Sequence, residues 1–377
     1  MRTIDADKKD KIIEIVRAVA IEGRRDVELT GDDDYLRELW AIAKMHQVEH
    51  MLACVLVSKG DRRFEKKFFS SVGLTAKQSF AASEAARVFE SAGIPFIILK
   101  GQVLRRLYPE EWMRNSCDVD ILVHREDMER AGRELEGLGF ERQEGLSAHD
   151  VSYNQGKVHI ELHFDLIESH VFDEAAEVLA SVWESFLANG SEHVMSDELF
   201  YFYHVAHMAK HFENGGCGIR TLLDLWFLNN KCEFSREARD ELLSRGGLLK
   251  FERGMRKLCD AWFSDGGREG TEVLEEYVIS GGAYGRTDNS VAVKKNKRGG
   301  RLAYFVSRVF APTSLLKRYY PVLEKRPYLM PIYQVKRWFD AMKRDRKKYV
   351  RELRENLKTD NNADKLGEML SSLGLTK

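Results

Sequence analysis

Two aspartates that stand two positions apart carry the clearest chemical signal in the sequence. Asp118 and Asp120 alternate with apolar residues over positions 118–123, which is typical of a β-strand with one apolar face. Side chains two apart on a strand project to the same side, so the two carboxylates should lie next to each other. Two such carboxylates either raise one pKa or share a cation. Mg²⁺ suits the pair, since it binds hard oxygen ligands and typically uses one or two carboxylates together with substrate phosphates.

A third acid follows in a second predicted strand, Lys157 to Phe164. Ile160 and Leu162 share the apolar face of this strand, which leaves Glu161 on the other face between two histidines. If the two strands pair with their polar faces matched, Glu161 joins the two aspartates in a three-carboxylate cluster. Such a cluster could hold two metal ions that stabilise the attacking and leaving oxygens of an in-line phosphoryl displacement. A slip of one residue in the strand register would instead turn Glu161 to the opposite side.

The simpler alternative is that Asp118 and Asp120 form the water-exposed face of an antiparallel strand. We favour the metal site because Glu161 and a Lys100-Gly101 corner accompany the aspartates. Lys100 could contact phosphate. It could equally be a surface lysine at a strand end, and Gly101 could be an ordinary turn glycine.

The elements around these residues predict a small α+β module. Ile94 to Leu99 is a short apolar run that contains proline and is followed by Gly101, which favours a buried strand. A helix is expected over Glu126 to Leu138, and Asn154 to Gly156 fits a hairpin turn. The resulting order of strand, helix, strand, helix and hairpin is typical of an α+β fold with a mixed sheet.

The regions on either side of this core are predicted to be mostly helical. The expected division is a helical N-terminal region at 1–90, an α+β core at 91–170, a helical domain at 171–280, a linker at 281–300 and a basic helical C-terminal region at 301–377. The linker is assigned because its sequence is glycine-rich, polar and basic. Within the N-terminal region, apolar residues at spacings of three and four predict one long helix over 35–59.

Charge is distributed very unevenly along the chain. The whole sequence has a net charge of −1, yet positions 294–358 hold 20 Lys and Arg against 5 acids. Aromatic residues lie among these positive charges, so the region could bind nucleic acid or an anionic membrane. We favour the interpretation in which the aromatics pack on the acidic body and the charges face water. Acids and lysines at the start of the chain and five scattered cysteines favour a cytoplasmic protein.

These residues together resemble a known superfamily. A strand followed by Lys100-Gly101, then Asp118-Val119-Asp120 on a second strand and Glu161 on a third, is similar to the nucleotidyltransferase superfamily of DNA polymerase beta. The pattern more closely resembles a bacterial family of largely uncharacterised nucleotidyltransferases. The resemblance covers roughly 94–230 and includes Tyr108, Arg114, His163, His204, His207, Arg220 and Asp224.

The resemblance implies a polymerase-beta-like core and a magnesium-dependent transfer of a nucleoside monophosphate. The donor would be a nucleoside triphosphate such as ATP, and the acceptor a hydroxyl on a small molecule, a sugar, a peptide or a protein. Asp118 and Asp120 would bind both of two Mg²⁺ ions, with Mn²⁺ as an alternative metal. Glu161 would bind the catalytic ion and help to deprotonate the acceptor.

The same resemblance assigns the triphosphate to Lys100, Gly101 and Arg114. One position departs from the superfamily, because the usual glycine-serine pair, whose serine contacts phosphate, is Gly101-Gln102 here. Backbone N–H groups at the start of the following helix could take over part of that contact. The residues expected to orient the substrate are His163, His204, Arg220 and Asp224.

Three histidines in the helical half, His204, His207 and His211, fall on one predicted helix face. Imidazole is a common metal ligand, so a zinc site is conceivable. We favour hydrogen bonding to neighbours or orientation of the substrate, since no other ligand follows at a matching spacing. Arg220 and Asp224 are one helical turn apart, and the alternative to a substrate role is an ordinary surface ion pair.

A second functional hypothesis is a binding protein without catalytic activity. In that case the core would bind a nucleotide without turnover. The basic C-terminal region would then recruit a polyanion or an anionic membrane.

Overall fold

The fold belongs to the α+β class, as the sequence predicts, with one mixed sheet flanked by helices. The computed structural model describes residues 4–29, 31–143, 150–167, 173–180, 182–184, 187–297, 299–313, 316–317, 320–357 and 363–375. The helices are α1 (Ala6–Ala20), α2 (Asp33–Met45), α3 (Glu49–Ser58), α4 (Glu65–Ala92), α5 (Lys100–Arg105), α6 (Met128–Gly137), α7 (Asp173–Ala180), α8 (Asp197–Glu213), α9 (Gly218–Lys231), α10 (Arg236–Arg245), α11 (Leu249–Phe263), α12 (Glu272–Gly281), α13 (Thr287–Lys297) and α14 (Arg301–Val309). They are followed by Val322–Lys325, Met330–Leu357 and Ala363–Ser372. Among the helices of these described residues, none combines the length and apolar character needed to cross a membrane.

The sheet brings strands from distant parts of the chain side by side. Its strands are β1 (Phe96–Ile98), β2 (Val119–Val123), β3 (Glu141–Arg142), β4 (Asp150–Gln155), β5 (Val158–His163), β6 (Leu187–Asn189) and β7 (Glu192–Val194). They lie in the order β3-β4-β5-β2-β1-β7-β6. The β2–β5 and β1–β7 pairs are parallel, and the remaining neighbours are antiparallel.

Local sequence explains where the central elements begin and end. Helix α4 ends at Gly93, whose φ of 61° lies in the left-handed region that glycine adopts without steric cost. Pro95 then disfavours further helix, and β1 follows. Gly156, with φ 59°, turns β4 into β5, as the hairpin prediction requires.

The sheet separates two hydrophobic cores. Val119, Ile121 and Val123 of β2 pack with Phe89 of α4 and other residues on one side. Leu122 projects to the other side, into the core of the helical body. The alternative in which Asp118 and Asp120 form a water-exposed strand face is wrong for Asp120, because all five residues of β2 are buried. The polar face of β2 is covered by protein, so its carboxylate sits in a desolvated setting.

The helical body has one continuous core rather than separate ones. Apolar residues of α1 and α3 share it with residues of α8, α9, α11 and α12. Five apolar side chains near the C-terminus of the described chain join the same cluster, namely Leu366, Met369, Leu370, Leu373 and Leu375. The N-terminal helices and this distant segment therefore depend on the same buried apolar surface for stability.

The long helix expected over 35–59 is in fact two helices, α2 and α3. The break occurs at His46, whose buried ring contacts the carbonyl of Ile279 at 3.1 Å and accepts a hydrogen bond from the backbone N–H of Ile219 at 3.1 Å. Gln47 adopts a left-handed φ of 59°, which ends the helical path. Tertiary contacts of His46 thus override a continuous helical pattern.

The glycine-rich linker predicted at 281–300 is largely helical, since α13 occupies Thr287–Lys297. Val291 and Val293 are buried, and the side chain of Asn289 donates a hydrogen bond to the carbonyl of Gly215 at 3.1 Å. These contacts anchor the segment to the loop before α9. Its composition suggested a connector because the glycines lie at its ends rather than within the helix.

Candidate active site

The relative register of β2 and β5 decides which side chains meet. The two strands run parallel, with Asp120 opposite Glu161 and Ile121 opposite Leu162. Alternation then places Asp120, Glu161 and His163 on the face turned toward the helical body, while Ile121 and Leu162 face the opposite core. The structure thus brings together the carboxylates of Asp120 and Glu161 as the sequence pattern predicts.

Asp120 lies at the centre of a compact charged cluster. Its Oδ1 accepts hydrogen bonds from Lys100 Nζ at 3.1 Å and from His163 Nε2 at 2.8 Å. His163 Nε2 also lies 3.5 Å from Glu161 Oε2, and His159 Nε2 lies 3.2 Å from Glu161 Oε1. His163 was expected to orient the substrate, and it contacts both carboxylates directly.

Burial and charge set the protonation of this cluster. Burial would raise the pKa of Asp120, but Lys100 and the hydrogen bond from His163 lower that pKa below its usual range. The hydrogen bond from His163 likewise lowers the pKa of Glu161. Burial would lower the pKa of His163, yet its two carboxylate partners raise it. Asp120 and Glu161 are therefore anions at neutral pH, with positive charge held against them.

Asp118 lies on the same cavity in a different environment. Ser116 Oγ donates a hydrogen bond to the Asp118 carbonyl at 2.7 Å and lies 3.1 Å from Asp118 Oδ1. Burial raises the pKa of Asp118, and repulsion from Asp120 and Glu161 adds to that rise. A divalent cation in the shared cavity would relieve this repulsion.

The donor atoms fit a hard divalent cation. Ligand atoms of Asp120, Glu161 and His163 lie within 4.8 Å of one another. Asp118 and these three residues line one cavity, so a further carboxylate is available there. Both hydrogen bonds to the Asp120 carboxylate end on Oδ1, and Oδ2 accepts none from the described part of the chain. Carboxylate oxygens of this kind are the protein ligands that Mg²⁺ and Mn²⁺ prefer.

The Lys100-Gly101 corner connects β1 to α5 directly beside the acids. The backbone N–H of Leu99 donates to the carbonyl of Asp120 at 2.9 Å, which extends the β1–β2 pairing to this point. Lys100 has a left-handed φ of 39°, an uncommon conformation for a residue with a side chain. Strained backbone of this type is often found at functional sites. Here it accompanies a lysine held against Asp120.

Gly101 is packed against Ser116. A Cβ at position 101 would lie 2.9 Å from Ser116 Oγ and 3.4 Å from Arg114 Nη1. The hydroxyl that adjoins the glycine therefore comes from Ser116, fifteen positions along the chain, and not from residue 102. No local sequence pattern around Gly101 points to Ser116, because the two residues lie far apart along the chain.

Gly101→Ala is expected to lower the free energy of unfolding by about 1–3 kcal/mol, because the added methyl must displace Ser116 or the backbone of α5. Gly73→Ala is a matched control, since Gly73 also lies in a helix but has no atom within 4 Å of the new Cβ. That change should be neutral or stabilising by up to about 1 kcal/mol. Urea unfolding measures both. Equal stabilisation by the two substitutions would contradict the close packing at Gly101.

Two buried side chains support the segment that leads to Asp118. Arg105 Nε donates to the carbonyl of Arg114 at 3.1 Å, and a second guanidinium nitrogen donates to Gln78 Oε1. Gln78 Nε2 in turn donates to the carbonyl of Ser116 at 3.1 Å. Burial lowers the pKa of Arg105 to about 10, with repulsion from Arg114 as a second cause. These contacts fix the backbone of 114–116 from beneath.

Arg114 is committed to a buried ion pair. Its Nε and Nη2 donate to the two oxygens of Asp224 at 3.1 and 2.9 Å, and Tyr108 Oη donates to Asp224 Oδ1 at 2.7 Å. Burial would raise the pKa of Asp224, but Arg114 lowers it. The alternative in which Arg220 and Asp224 form a surface pair is wrong, because Asp224 is buried and pairs with Arg114. This ion pair joins the sheet domain to α9.

Arg220 projects from α9 into the cavity. One of its nitrogens donates to the carbonyl of Asn115 at 3.0 Å, while its buried Nε has no hydrogen-bond partner. Within the described residues Arg220 forms no ion pair with a carboxylate. Burial lowers the pKa of Arg220, and the nearby Arg114 lowers it further. A desolvated cation beside another cation would be stabilised by a bound anion.

The three histidines of α8 have different surroundings. His204 Nε2 lies 3.2 Å from the carbonyl of Thr221, so that ring contacts α9. The Nε2 atoms of His207 and His211 lie 3.3 Å from each other, and both rings line the cavity. Burial lowers the pKa of His207, and it lowers the pKa of His211 to about 4. Both imidazoles are therefore neutral at physiological pH and face the acids across the cavity.

The cavity has a volume of about 260 Å³ and lies between the polar face of the sheet and the helices α8 and α9. Every predicted site residue lines it: Lys100, Gly101, Arg114, Asp118, Asp120, Glu161, His163, His204, Arg220 and Asp224. Residues that sequence reasoning missed also line it, among them Ser116, Cys117, Tyr203, Lys210 and Tyr284. Tyr284 comes from the segment assigned to a linker, where an isolated tyrosine gives no functional signal.

Comparison with protein families agrees with this geometry. A family described as "Uncharacterised nucleotidyltransferase" matches residues 33–264, a span that contains the three acids and the helices opposite them. No curated protein and no solved structure gives a significant match. Because the matched span is more than half of the 377 residues, the chain belongs to this family of uncharacterised nucleotidyltransferases.

Proposed function

We propose that the chain is a metal-dependent enzyme of the polymerase-beta type that transfers a nucleoside monophosphate from a nucleoside triphosphate to an acceptor hydroxyl. The observation that carries the proposal is the parallel register of β2 and β5, which sets Asp120 beside Glu161 in a cavity that also contains cations. Family membership supports nucleotidyl transfer in general. The carboxylate cluster supports the use of Mg²⁺ or Mn²⁺.

In this proposal Asp118, Asp120 and Glu161 would hold the metal, which when bound would neutralise charge that develops on the transferred phosphoryl group. Glu161 is less buried than Asp120 and would accept the proton of the acceptor hydroxyl as the new oxygen–phosphorus bond forms. Pyrophosphate is the leaving group. Lys100 stays protonated beside the acids, since Asp120 raises its pKa against the effect of burial, and offers its ammonium to the phosphates.

The ion pair of Arg114 with Asp224 favours other residues for the remaining phosphate contacts. Arg114 is neutralised by Asp224, so we transfer its proposed role to Arg220, which carries a buried nitrogen without a partner. Ser116 would supply the hydroxyl that the superfamily places directly after its glycine, because Ser116 Oγ adjoins Gly101. His207 and His211 would contact the acceptor or the nucleotide as neutral groups.

The experiment that tests the proposal is incubation of the full chain with each of four α-³²P-labelled nucleoside triphosphates, Mg²⁺ and cell extract. We expect label on one class of acceptor together with pyrophosphate release, and loss of both in EDTA. If a triphosphate binds but pyrophosphate is released in none of these mixtures, the result would instead support a non-catalytic nucleotide-binding module.

Arg220→Gln is expected to raise KM for the nucleoside triphosphate by about 10- to 100-fold, because a charge-assisted contact to phosphate is lost. Arg220→Lys should recover part of this loss, since it retains the charge but not the fork geometry. Lys231→Gln, an exposed cation at the end of the same helix, is the matched control. Steady-state kinetics measure all three. An unchanged KM in Arg220→Gln would remove Arg220 from the phosphate site.

A further inference from the structure

Exposed apolar side chains are concentrated in one part of the molecule. Nine of the thirteen large apolar side chains that are exposed in the described residues lie between positions 302 and 339. On α14 they include Leu302, Phe305 and Val306, spaced by three and one, so they occupy one helix face. On the helix Met330–Leu357 they include Ile332, Val335 and Phe339, again on one face.

The opposite faces of the same helices are already used for packing. Trp338 Nε1 donates to the carbonyl of Val309 at 2.7 Å, which joins Met330–Leu357 to the end of α14. Tyr333 packs on Tyr320 with ring centroids 4.8 Å apart, beside a small core that contains Leu316 and Leu323. The two helices are thus held in place on one side. Their exposed stripes are the faces that remain toward solvent.

Positive charge is concentrated in the same segment of the sequence as these stripes. Positions 294–358 carry 20 Lys and Arg against 5 acids, and Lys325, Arg326 and Lys336 are exposed. Lys336 lies four residues after Ile332, between the stripe and the packed face, and its Nζ is 5.5 Å from the ring centroids of Tyr320 and Tyr333. An apolar helix face bordered by cations is the pattern of a helix that lies in the interface of a membrane with anionic lipids.

The chemistry of the exposed apolar residues distinguishes a nucleic acid from an anionic membrane. Nucleic acid would be bound by aromatic stacking and phosphate contacts, and aliphatic side chains contribute to neither. Four of the six stripe residues are aliphatic: Leu302, Val306, Ile332 and Val335. A second copy of the same surface would bring like charges together. An anionic bilayer can contact the aliphatic side chains with its apolar region and the cations with its headgroups.

We propose that the surface formed by α14 and Met330–Leu357 binds the face of an anionic lipid bilayer, with both apolar stripes inserted at the level of the headgroups. This interaction is independent of the proposed transfer reaction. It would place the enzyme at a membrane surface, where an acceptor attached to lipid or to a membrane protein would be concentrated.

The test is sedimentation of the full chain with vesicles of phosphatidylcholine alone and of phosphatidylcholine with phosphatidylglycerol at about 3:1. We expect at least about tenfold stronger binding to the anionic vesicles, and a decrease of at least about tenfold when NaCl is raised from about 0.1 to 0.5 M. Point substitutions are used because apolar residues within 366–375 belong to the central core, which a truncation would leave incomplete.

Two variants separate the apolar contribution from the charge. Ile332→Ser/Val335→Ser/Phe339→Ser should weaken binding to anionic vesicles by at least about tenfold, because three apolar contacts with the bilayer are lost. Lys325→Glu/Arg326→Glu should weaken it by about tenfold at low salt. Phe69→Ser/Phe80→Ser, which removes two exposed aromatics from α4, is the matched control and should bind as wild type does.

Three results would overturn the proposal. The first is equal binding of the wild type to neutral and anionic vesicles, and the second is unchanged vesicle binding by the triple serine variant. The third is tighter binding to a duplex RNA than to anionic vesicles, with the triple serine variant binding RNA as wild type does. Circular dichroism of each variant establishes that a loss of binding is not a loss of fold.

Discussion

Asp120→Asn is expected to reduce kcat for nucleotidyl transfer by about 10³-fold while the protein stays folded. Asp120 accepts hydrogen bonds from Lys100 and His163 and faces Glu161 across the β2–β5 pair. Asparagine keeps the shape of the side chain but removes the charge. The site would then lose its central anion, and with it the attraction for a divalent cation.

His163 gives this substitution a second readout that does not depend on activity. Its pKa is raised by the carboxylates of Asp120 and Glu161 against the effect of burial. Without the negative charge at position 120, the effect of burial on His163 is opposed by one carboxylate fewer. The pKa of His163 should therefore fall, which an NMR titration of the ring would detect. Asp165→Asn, an exposed carboxylate that pairs with exposed Arg125, is the matched control and should change neither measurement. Full transfer activity in Asp120→Asn would refute the proposed chemistry.

Arg114→Met is expected to lower the free energy of unfolding by about 3–5 kcal/mol, because it leaves the buried carboxylate of Asp224 without its cation. Arg114 donates hydrogen bonds to both oxygens of Asp224. The side chain of Asp224 is 1% exposed and that of Arg114 is 7% exposed. Arg142→Met breaks the exposed pair with Glu129 and should cost at most about 1 kcal/mol. Chemical denaturation measures the difference.

The pH dependence of this destabilisation gives an independent check. Arg114 lowers the pKa of Asp224 in the folded protein, so the pair contributes stability above the unfolded carboxyl pKa of about 4. That contribution disappears as pH falls through the lower, folded pKa. The difference in the free energy of unfolding between wild type and Arg114→Met should therefore decrease at acidic pH. A variant with normal stability but a raised KM for the triphosphate would return Arg114 to the phosphate site.

The face on which the acids lie was predictable from sequence because strand alternation leaves few choices. Asp120 is flanked by Val119 and Ile121, and Glu161 by Ile160 and Leu162, so burying the apolar neighbours on one side forces both carboxylates to the other. Membership of the nucleotidyltransferase family was predictable because Lys100-Gly101, Asp118-Val119-Asp120 and Glu161 are short motifs that can be recognised in the sequence in combination. The α+β class followed from the order of these elements.

Contacts between distant segments were not predictable from a single sequence. Nothing near Arg114 indicates that its partner is Asp224, 110 positions later, rather than a phosphate. The break after α2 depends on His46 meeting the carbonyl of Ile279. The proximity of Ser116 to Gly101 likewise depends on a turn of the chain between α5 and β2. In each case the decisive partner is supplied by tertiary packing.

The sharing of one core by α1, α3 and residues 366–375 bears on how the protein is made. Leu373 packs so closely on Gly254 of α11 that a methyl group added there would meet it at 2.2 Å. A nascent chain cannot complete this core until about residue 375 has emerged, although the family match ends at residue 264. The helical body that borders the cavity is therefore expected to finish folding only late in synthesis.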